Sequence, residues 1–565
     1  MNSPSKRSLL LDDVILIAIM AVLAGCGLIY QYLLSHYASR ILGVVESTIY
    51  TMIGLMIVSM GFGSFAAKAL KDPFSSFAWL ESIIAFLGVT CILVIAASVS
   101  FSVLLPQSIA EVFNLPSDLI PNGGIFVWLK SLSYHSPYFF GALIGFLLGM
   151  EIPLIARVRE AVYGHHLEHN TGTIYGVDYI GAGVGAAIWV LVMLSIDVTK
   201  AAVLTAIVNL LAGLLFLVRY RQRIHRWKAL IGVHCVVMLI ALVVYENGDD
   251  WSSNMTNTLF QDQVVYTGSS HYQNFTITER KLSGRLDPVY GFYINGRLQF
   301  SSEDEHIYHG MLVYPAMLVA PANPKVLIIG GGDGLALRDI LRFEPKSVTL
   351  IDLDAELIEL FSEKKEMSEY QKALVALNQN AFADERLSVI NGDAFIEVNH
   401  LVANNTVFDA IIVDLPDPSH PDLDRLYTDH FYSRLKFLLS SNGVLVIQST
   451  SPYHAKKAFI SIGKTVEAVG FEGVQQYRQN IPSFGEWGWT IAANNQKPVR
   501  LALLALDDLR PSHQWLTRDL LIASFEFPAN FYAEKAEIEV NHLGSNRIYR
   551  YHDEAWRGDL GIYRD

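Results

Sequence analysis

With 565 residues, 52% of them hydrophobic, and a mean hydropathy of +0.31, the chain is too long for one core and too apolar for an ordinary soluble protein. Residues 1–248 hold only 14 of the 42 basic and 13 of the 55 acidic side chains, so 249–565 carry a clear excess of acid. That excess argues against a nucleic-acid partner, which needs clustered Lys and Arg, and it suits either a cationic substrate or simple solubility. Cys26, Cys91 and Cys235 have no metal-ligand spacing and argue against a disulfide framework or a zinc site.

The chain begins with apolar runs. Seven of them, near 13–33, 47–67, 78–100, 134–156, 174–196, 198–218 and 229–245, are long enough to cross a bilayer as helices. The first follows Lys6 and Arg7 but lacks a small-residue cleavage site, so it reads as an anchor. Gly181-Ala182-Gly183-Val184-Gly185 lies inside an apolar run, where close helix packing explains it better than phosphate binding. Glu151 and Asp178 sit in or at the ends of spans, where a charge is costly and either marks a functional site or lies at the interface, the second being the plainer reading. His165, His166 and His169 fall in a short polar loop without a fourth ligand and read as solvated.

Taken alternately, the connections collect 11 Lys and Arg on one side, including Arg219, Arg221, Arg223, Arg226 and Lys228, and 3 on the other. This bias puts the amino terminus in the cytoplasm, and seven spans then put residues 249–565 outside. Small-molecule ligands made in the cytoplasm would argue for the opposite face.

After the last span, residues 262–302 alternate polar and apolar positions in short runs, which predicts a small antiparallel β unit. From residue 325 the rhythm becomes strand then helix, with strands at 325–329, 347–352, 387–390, 408–413 and 443–448. Helical stretches run to about 342 and over 355–363, 428–439 and 454–469. This predicts a Rossmann-like, methyltransferase-type parallel sheet with helices on both faces. The expected domains are 1–248 (transmembrane), 249–318 (small β), 319–520 (α/β) and 521–565 (a tail of unclear role).

Asp333, Asp352, Asp393 and Asp414 each fall at or just past the end of a predicted strand, where ligands gather in such sheets. The glycines at 330–332 and 334 let backbone approach a ligand closely. Asp352, about twenty residues on, can accept both hydroxyls of a ribose. Together with Asn391-Gly392-Asp393-Ala394 this points to an adenosyl ligand. Asp333 would repel the carboxylate of ordinary S-adenosylmethionine but pair with a bare ammonium, as in its decarboxylated form. In Asp414-Leu415-Pro416-Asp417-Pro418, two acids three residues apart can hold a diamine, and one can take its proton. Read alone, Asp417-Pro418 is also simple turn chemistry.

Over residues 262–490 the chain resembles the spermidine synthase (polyamine aminopropyltransferase) family. The likeness rests on His271-Tyr272-Gln273, Asn295-Gly296-Arg297-Leu298-Gln299 and Asp304-Glu305-His306-Ile307-Tyr308-His309. It continues through the 330–334 turn, Asp352-Leu353-Asp354, Gly392-Asp393-Ala394, Asp414 to Pro418 with Pro421, Leu426-Tyr427-Thr428 and Phe431-Tyr432. The resemblance implies that Gln273, Asp352, Asp393 and Ala394 hold the adenosyl group with Pro421 beside it, and that His309 and Asp333 hold the aminopropyl end. It implies Asp414 as proton acceptor, with Asp417, Tyr308 and Gln299 lining the amine channel.

The implied reaction moves an aminopropyl group from decarboxylated S-adenosylmethionine, a co-substrate, to putrescine and releases methylthioadenosine. It calls for no cofactor and no metal, because positioning and a base suffice for a sulfonium leaving group. The expected partners are polyamine and adenosyl small molecules and a lipid bilayer, and a homo-oligomer is left open. Gly310, Ser483-Phe484 and the bulkier Leu415-Pro416 and Ser419-His420 depart from the family pattern and put the acceptor amine in question. A methyltransferase on the same sheet and a polyamine sensor or transporter are the alternatives.

Overall fold

A computed structural model describes residues 6–42, 45–113, 123–163, 170–258, 260, 262–270, 272–281, 287–471, 473–495 and 497–559. His165, His166, His169 and His271 lie outside the described residues. The chain divides into two compact units, residues 1–261 and 262–565.

The first unit is helical. Seven helices, α1 (Lys6–Leu42), α2 (Val45–Ala66), α3 (Pro73–Val112), α4 (Ile125–Tyr163), α5 (Asn170–Leu191), α6 (Val198–Tyr220) and α7 (Trp227–Asn257), are all long and apolar enough to cross a membrane. The seven apolar runs each fall on one of them. α3 and α7 run well beyond the expected spans, because α3 continues through Pro106 and α7 runs on past 248. Charged groups gather at one end of the bundle. There Arg159 meets Asp13 at 2.5 Å, Arg219 meets Asp12 at 2.5 Å, and Arg157 donates to the Leu70 carbonyl at 2.7 Å. At the other end Lys200 pairs with Asp249 at 2.7 Å, and the Thr258 hydroxyl donates to Ser100 at 2.8 Å.

The second unit opens with β1 (Gln263–Ser269), β2 (Asn274–Arg280), β3 (Val289–Ile294) and β4 (Arg297–Ser301), an antiparallel meander. Its inner face, with Phe275, Ile277, Phe292 and Phe300, shares a core with Leu357, Leu360 and Phe361 from the following α/β part. The helix Glu305–Met317, which the expected boundary at 318 groups with this small sheet, is buried in the main core with Val326 and Ile328.

The main sheet comprises β5 (Lys325–Gly330), β6 (Ser347–Asp352), β7 (Leu387–Asn391), β8 (Phe408–Asp414), β9 (Leu439–Gln448), β10 (Gln475–Ile481) and β11 (Gly485–Ala493). Its order is β10-β11-β9-β8-β5-β6-β7, with β5 to β9 parallel and β10 and β11 antiparallel. Alternate residues feed two cores. Val326, Ile328, Ala410 and Ile412 enter one, and Leu327, Ile329, Ile411 and Val413 enter the other. This two-sided burial is why these strands read as unbroken apolar runs. The β10–β11 hairpin was not anticipated, because its polar Gln475-Gln476 and Gln479-Asn480 pairs interrupt the pattern.

Candidate active site

The chain leaves β5 toward β6 and β7, then returns on the other side of β5 through β8. At such a reversal the connections diverge and open a crevice at the carboxyl ends of the strands. Register levels the groups there. Gly330 lies opposite Asp414, and Asp352 lies opposite Asn391. The turn after β5 takes φ values of +81°, +71° and +76° at Gly330, Gly331 and Gly334, a region that side chains disfavour. It also passes between two carboxylates. A Cβ at Gly331 would lie 3.3 Å from Asp414 Oδ2, and one at Gly332 would lie 2.8 Å from Asp352 Oδ2.

Asp352 is held by backbone, its Oδ2 accepting from Gly332 N–H at 3.0 Å and its Oδ1 from Asp354 N–H at 2.9 Å. Burial nonetheless pushes it up to about 6, against those bonds. Asp333 caps its own turn by accepting from Leu335 N–H at 2.9 Å.

The helix Glu305–Met317 brings His309 under the crevice, fully buried. Its Nδ1 lies 2.9 Å from both the Glu305 carbonyl and Glu305 Oε2, so Nδ1 carries a hydrogen. Burial favours the neutral ring. The bond and charge of Glu305, with Asp333 and Asp414 behind it, outweigh burial and hold His309 up at about 9. Arg338 clamps Glu305 in turn at 2.6 Å, and its Nε bonds Asp339 at 3.0 Å. Burial alone would raise Glu305, but His309 and Arg338 bring it down to about 2.

Asp414, the last residue of β8, accepts from the Tyr308 hydroxyl at 2.9 Å. Burial raises it to about 6, His309 and Tyr308 pull it back, and Asp333 pushes it further up. The His309 cation thus acts on both Asp333 and Asp414 and lowers the cost of ionising each. A carboxylate near 6 is still ionised at neutral pH and is a better base than an exposed one. Farther along the loop, Asp417 accepts from Gln448 Nε2 at 3.1 Å, and the same amide holds the Leu415 carbonyl at 2.9 Å.

Of the other expected site residues, Gln273 donates to Asp354 Oδ2 at 2.8 Å, beside Ser270. Asp393 caps the helix that begins at Ala394, accepting from Phe395 N–H at 2.9 Å, and pairs with Arg425 at 2.7 Å. Pro421 is the first residue of the short helix Pro421–Asp424. Gln299, half-buried, donates its amide to the Arg297 carbonyl at 3.1 Å. Among the described residues no hydrogen bond ties it to Asp414 or Asp417.

Two of the departures from the family pattern have structural causes. A Cβ at Gly310 would lie 2.8 Å from His513 Nε2, so an imidazole from beyond residue 502 occupies the space a side chain would need. Phe484 lies against Tyr308 with ring centroids 6.0 Å apart, and Ser483 donates to Asp304 at 2.9 Å.

Sequence reasoning missed Glu305, Arg338, Gln448, Asp354 and Arg425 as supports. Glu305 was within reach, since it lies four residues before His309 on one helix face. Nothing local marks Arg338 or Gln448.

Residues 305–502 match the spermine/spermidine synthase domain. The chain is 54% identical to a polyamine aminopropyltransferase of Shewanella oneidensis, over 98% of this chain and 96% of that protein. It is 30% identical to polyamine aminopropyltransferase 1 of Streptomyces coelicolor, over 94% and 93% of the two chains. The crystal structure of spermidine synthase from Thermotoga maritima is 23% identical and covers 49% of this chain and 88% of that one, with a TM-score of 0.40.

Proposed function

Because this chain belongs to the polyamine aminopropyltransferase family, we propose that it transfers the aminopropyl group of decarboxylated S-adenosylmethionine to putrescine, giving spermidine and methylthioadenosine. The observation that carries this is the cluster of acid in one crevice: Asp352 and Asp414 flank the glycine turn, Asp333 lies within it, and the His309 cation offsets Asp333 and Asp414. Such a field favours a sulfonium, a bare ammonium and a diamine. It disfavours the carboxylate of ordinary S-adenosylmethionine, which weighs against methyl transfer.

In this reaction the amine nitrogen attacks the aminopropyl carbon next to sulfur. The carbon–sulfur bond breaks with its electron pair going to sulfur, and the proton on nitrogen passes to Asp414. Tyr308 orients Asp414 through its hydroxyl. Asp333 pairs with the ammonium of the aminopropyl arm, and His309, protonated and fixed by Glu305, keeps the two neighbouring acids ionised together. Asp352 and Gln273 with its partner Asp354 serve the adenosyl side, as do Asp393, Ala394 and Pro421. Asp417 serves the far end of the amine, with Gln299 at the margin. The sulfonium is its own activated leaving group, so the chemistry calls for no cofactor. Incubating the purified protein with decarboxylated S-adenosylmethionine and a panel of diamines, and weighing the products, tests this. A methylated product from ordinary S-adenosylmethionine, with no transfer from the decarboxylated form, would overturn it.

We further propose that α1 to α7 span a cell membrane. Their length and hydropathy support this, as do large apolar side chains turned outward, such as Phe62, Phe65 and Leu239. The arginine-rich connections gather at one end of the bundle and α7 finishes at the other, which on the charge bias puts the catalytic unit outside the cytoplasm. Cytoplasmic substrate supply opposes that face. A carboxyl-terminal fusion that fluoresces as green fluorescent protein but is silent as alkaline phosphatase would reverse the orientation.

A further inference from the structure

The tail after residue 502, outside the matched domain, is tied to the acidic loop at two points. The first tie is structural. Asn541, fully buried, donates through Nδ2 to Asp424 Oδ2 at 2.9 Å, and Tyr549 N–H donates to Asp424 Oδ1 at 2.8 Å. The last helix, Arg547–Asp559, is thereby fixed beside the loop that begins at Asp414.

The second tie carries chemistry. His552 of that helix has a side chain only 2% exposed, and its Nε2 lies 3.2 Å from Asp417 Oδ2. The same Nε2 lies 2.9 Å from the indole nitrogen of Trp556, one turn along. An indole N–H can only donate, and an ionised carboxylate can only accept. One ring nitrogen cannot serve both at once. It carries its hydrogen and donates to Asp417, or it is bare and accepts from Trp556. With Nε2 bare, a lone pair faces the carboxylate. Trp556 is 37% exposed, so water can take its N–H when His552 turns to Asp417. Asp417 has no such freedom, being 15% exposed with its other oxygen held by Gln448.

We propose that His552 is a positioning residue for the amine substrate: its Nε2–H fixes Asp417 Oδ2, so that the carboxylate presents its remaining lone pairs to the distal ammonium of the acceptor. This rests on the assignment of Asp417 to the amine channel. It makes the tail a working part of the acceptor site, through a residue beyond the matched domain.

Steady-state kinetics on the full-length protein, varying amine and decarboxylated S-adenosylmethionine separately, provide the test. His552→Leu is expected to raise KM for putrescine by roughly 10-fold or more, the loss of a hydrogen bond to a charged group, with kcat within about 3-fold. Methylthioadenosine affinity, which reports an intact adenosyl side, should stay as in the wild type. His552→Gln keeps a side-chain donor and is expected to recover most of the loss. Trp556→Phe removes the competing donor and should not raise the amine KM.

If Asp417→Asn raises the amine KM while both His552 variants leave it unchanged, the role of His552 is refuted and that of Asp417 stands. If Asp417→Asn leaves it unchanged, the amine-channel assignment itself fails. Equal effects of His552→Leu, His552→Gln and Trp556→Phe, or a matching loss of methylthioadenosine affinity, would show that only helix packing matters and would also overturn the proposal. Should His552→Leu not fold, His552→Phe, which keeps a flat ring but has no donor, takes its place, with the same expected rise in the amine KM and the same refuting result.

Discussion

Gly181, Gly183 and Gly185 on α5 and Gly330, Gly331 and Gly332 after β5 are runs of similar composition in opposite settings. On α5, a Cβ at Gly181 would lie 2.1 Å from the Ala21 carbonyl oxygen, and one at Gly185 would lie 2.5 Å from that of Gly25. Residues four apart share a helix face, so these two let α1 and α5 touch backbone to backbone, while Gly183 points into open space. At the end of β5, Gly330 and Gly331 adopt left-handed backbone, and with Gly332 they leave a bare passage between Asp352 and Asp414. The first run serves packing, and the second borders the carboxylates of the proposed site. What tells them apart is the neighbourhood, apolar helix in one case and strand-end carboxylates in the other.

The largest expected effect tests the chemical side of this contrast. Asp414→Asn should lower kcat by about 10²–10⁴-fold, the usual loss on removing a general base, while methylthioadenosine binding stays within a few-fold. Near-normal turnover in a rapid-quench assay would remove Asp414 from the role of proton acceptor.

Asp333→Asn comes next. Only decarboxylated S-adenosylmethionine offers an ammonium, so its binding should weaken by roughly 1.5–3 kcal/mol while that of methylthioadenosine changes little. Calorimetric titration of both ligands reads the difference. Equal weakening would mean that Asp333 only shapes its turn, where it accepts from Leu335 N–H.

A matched pair of glycine substitutions then probes the contrast directly. Gly330→Ala puts a side chain at φ +81° and against the Asp414 carbonyl oxygen, at a backbone cost of about 1–2 kcal/mol, and should cut turnover sharply. Gly185→Ala overpacks the α1–α5 contact, at about 1–3 kcal/mol, and should lower the thermal midpoint while leaving kcat and KM near wild type. A parallel loss of turnover in Gly185→Ala would break the division between packing and chemistry.

The smallest effect is in the pH profile. Asp414, raised to about 6, must be ionised to accept a proton, so kcat/KM should fall as pH drops through about 6. An unperturbed carboxylate would hold activity about two pH units lower. A profile flat down to pH 5 would mean that Asp414 is not the titrating base.

Much of this was legible in the chain, for stated physical reasons. The long helices of the first unit show because runs of about twenty apolar residues stand out in the sequence. The strands β5, β6 and β8 show because burial on two faces leaves no polar alternation. Asp352 and Asp414 could be placed because a strand-end position follows from local sequence once the strand is known. Gln299 rests on its motif alone, and its amide bonds the Arg297 carbonyl.

By itself, then, the sequence determined the seven apolar helices, the parallel sheet and the acids at its strand ends, because each depends on a local period or on the residue next to a strand. Tertiary structure alone decided what holds those acids. Arg338 reaches Glu305 from another helix, Gln448 reaches Asp417 from the neighbouring strand, and His552 and His513 return from the tail to Asp417 and Gly310. Hydrogen bonds and steric fit between residues far apart in the chain leave no periodic trace. They exist only once sheet order and tail packing have set the distances.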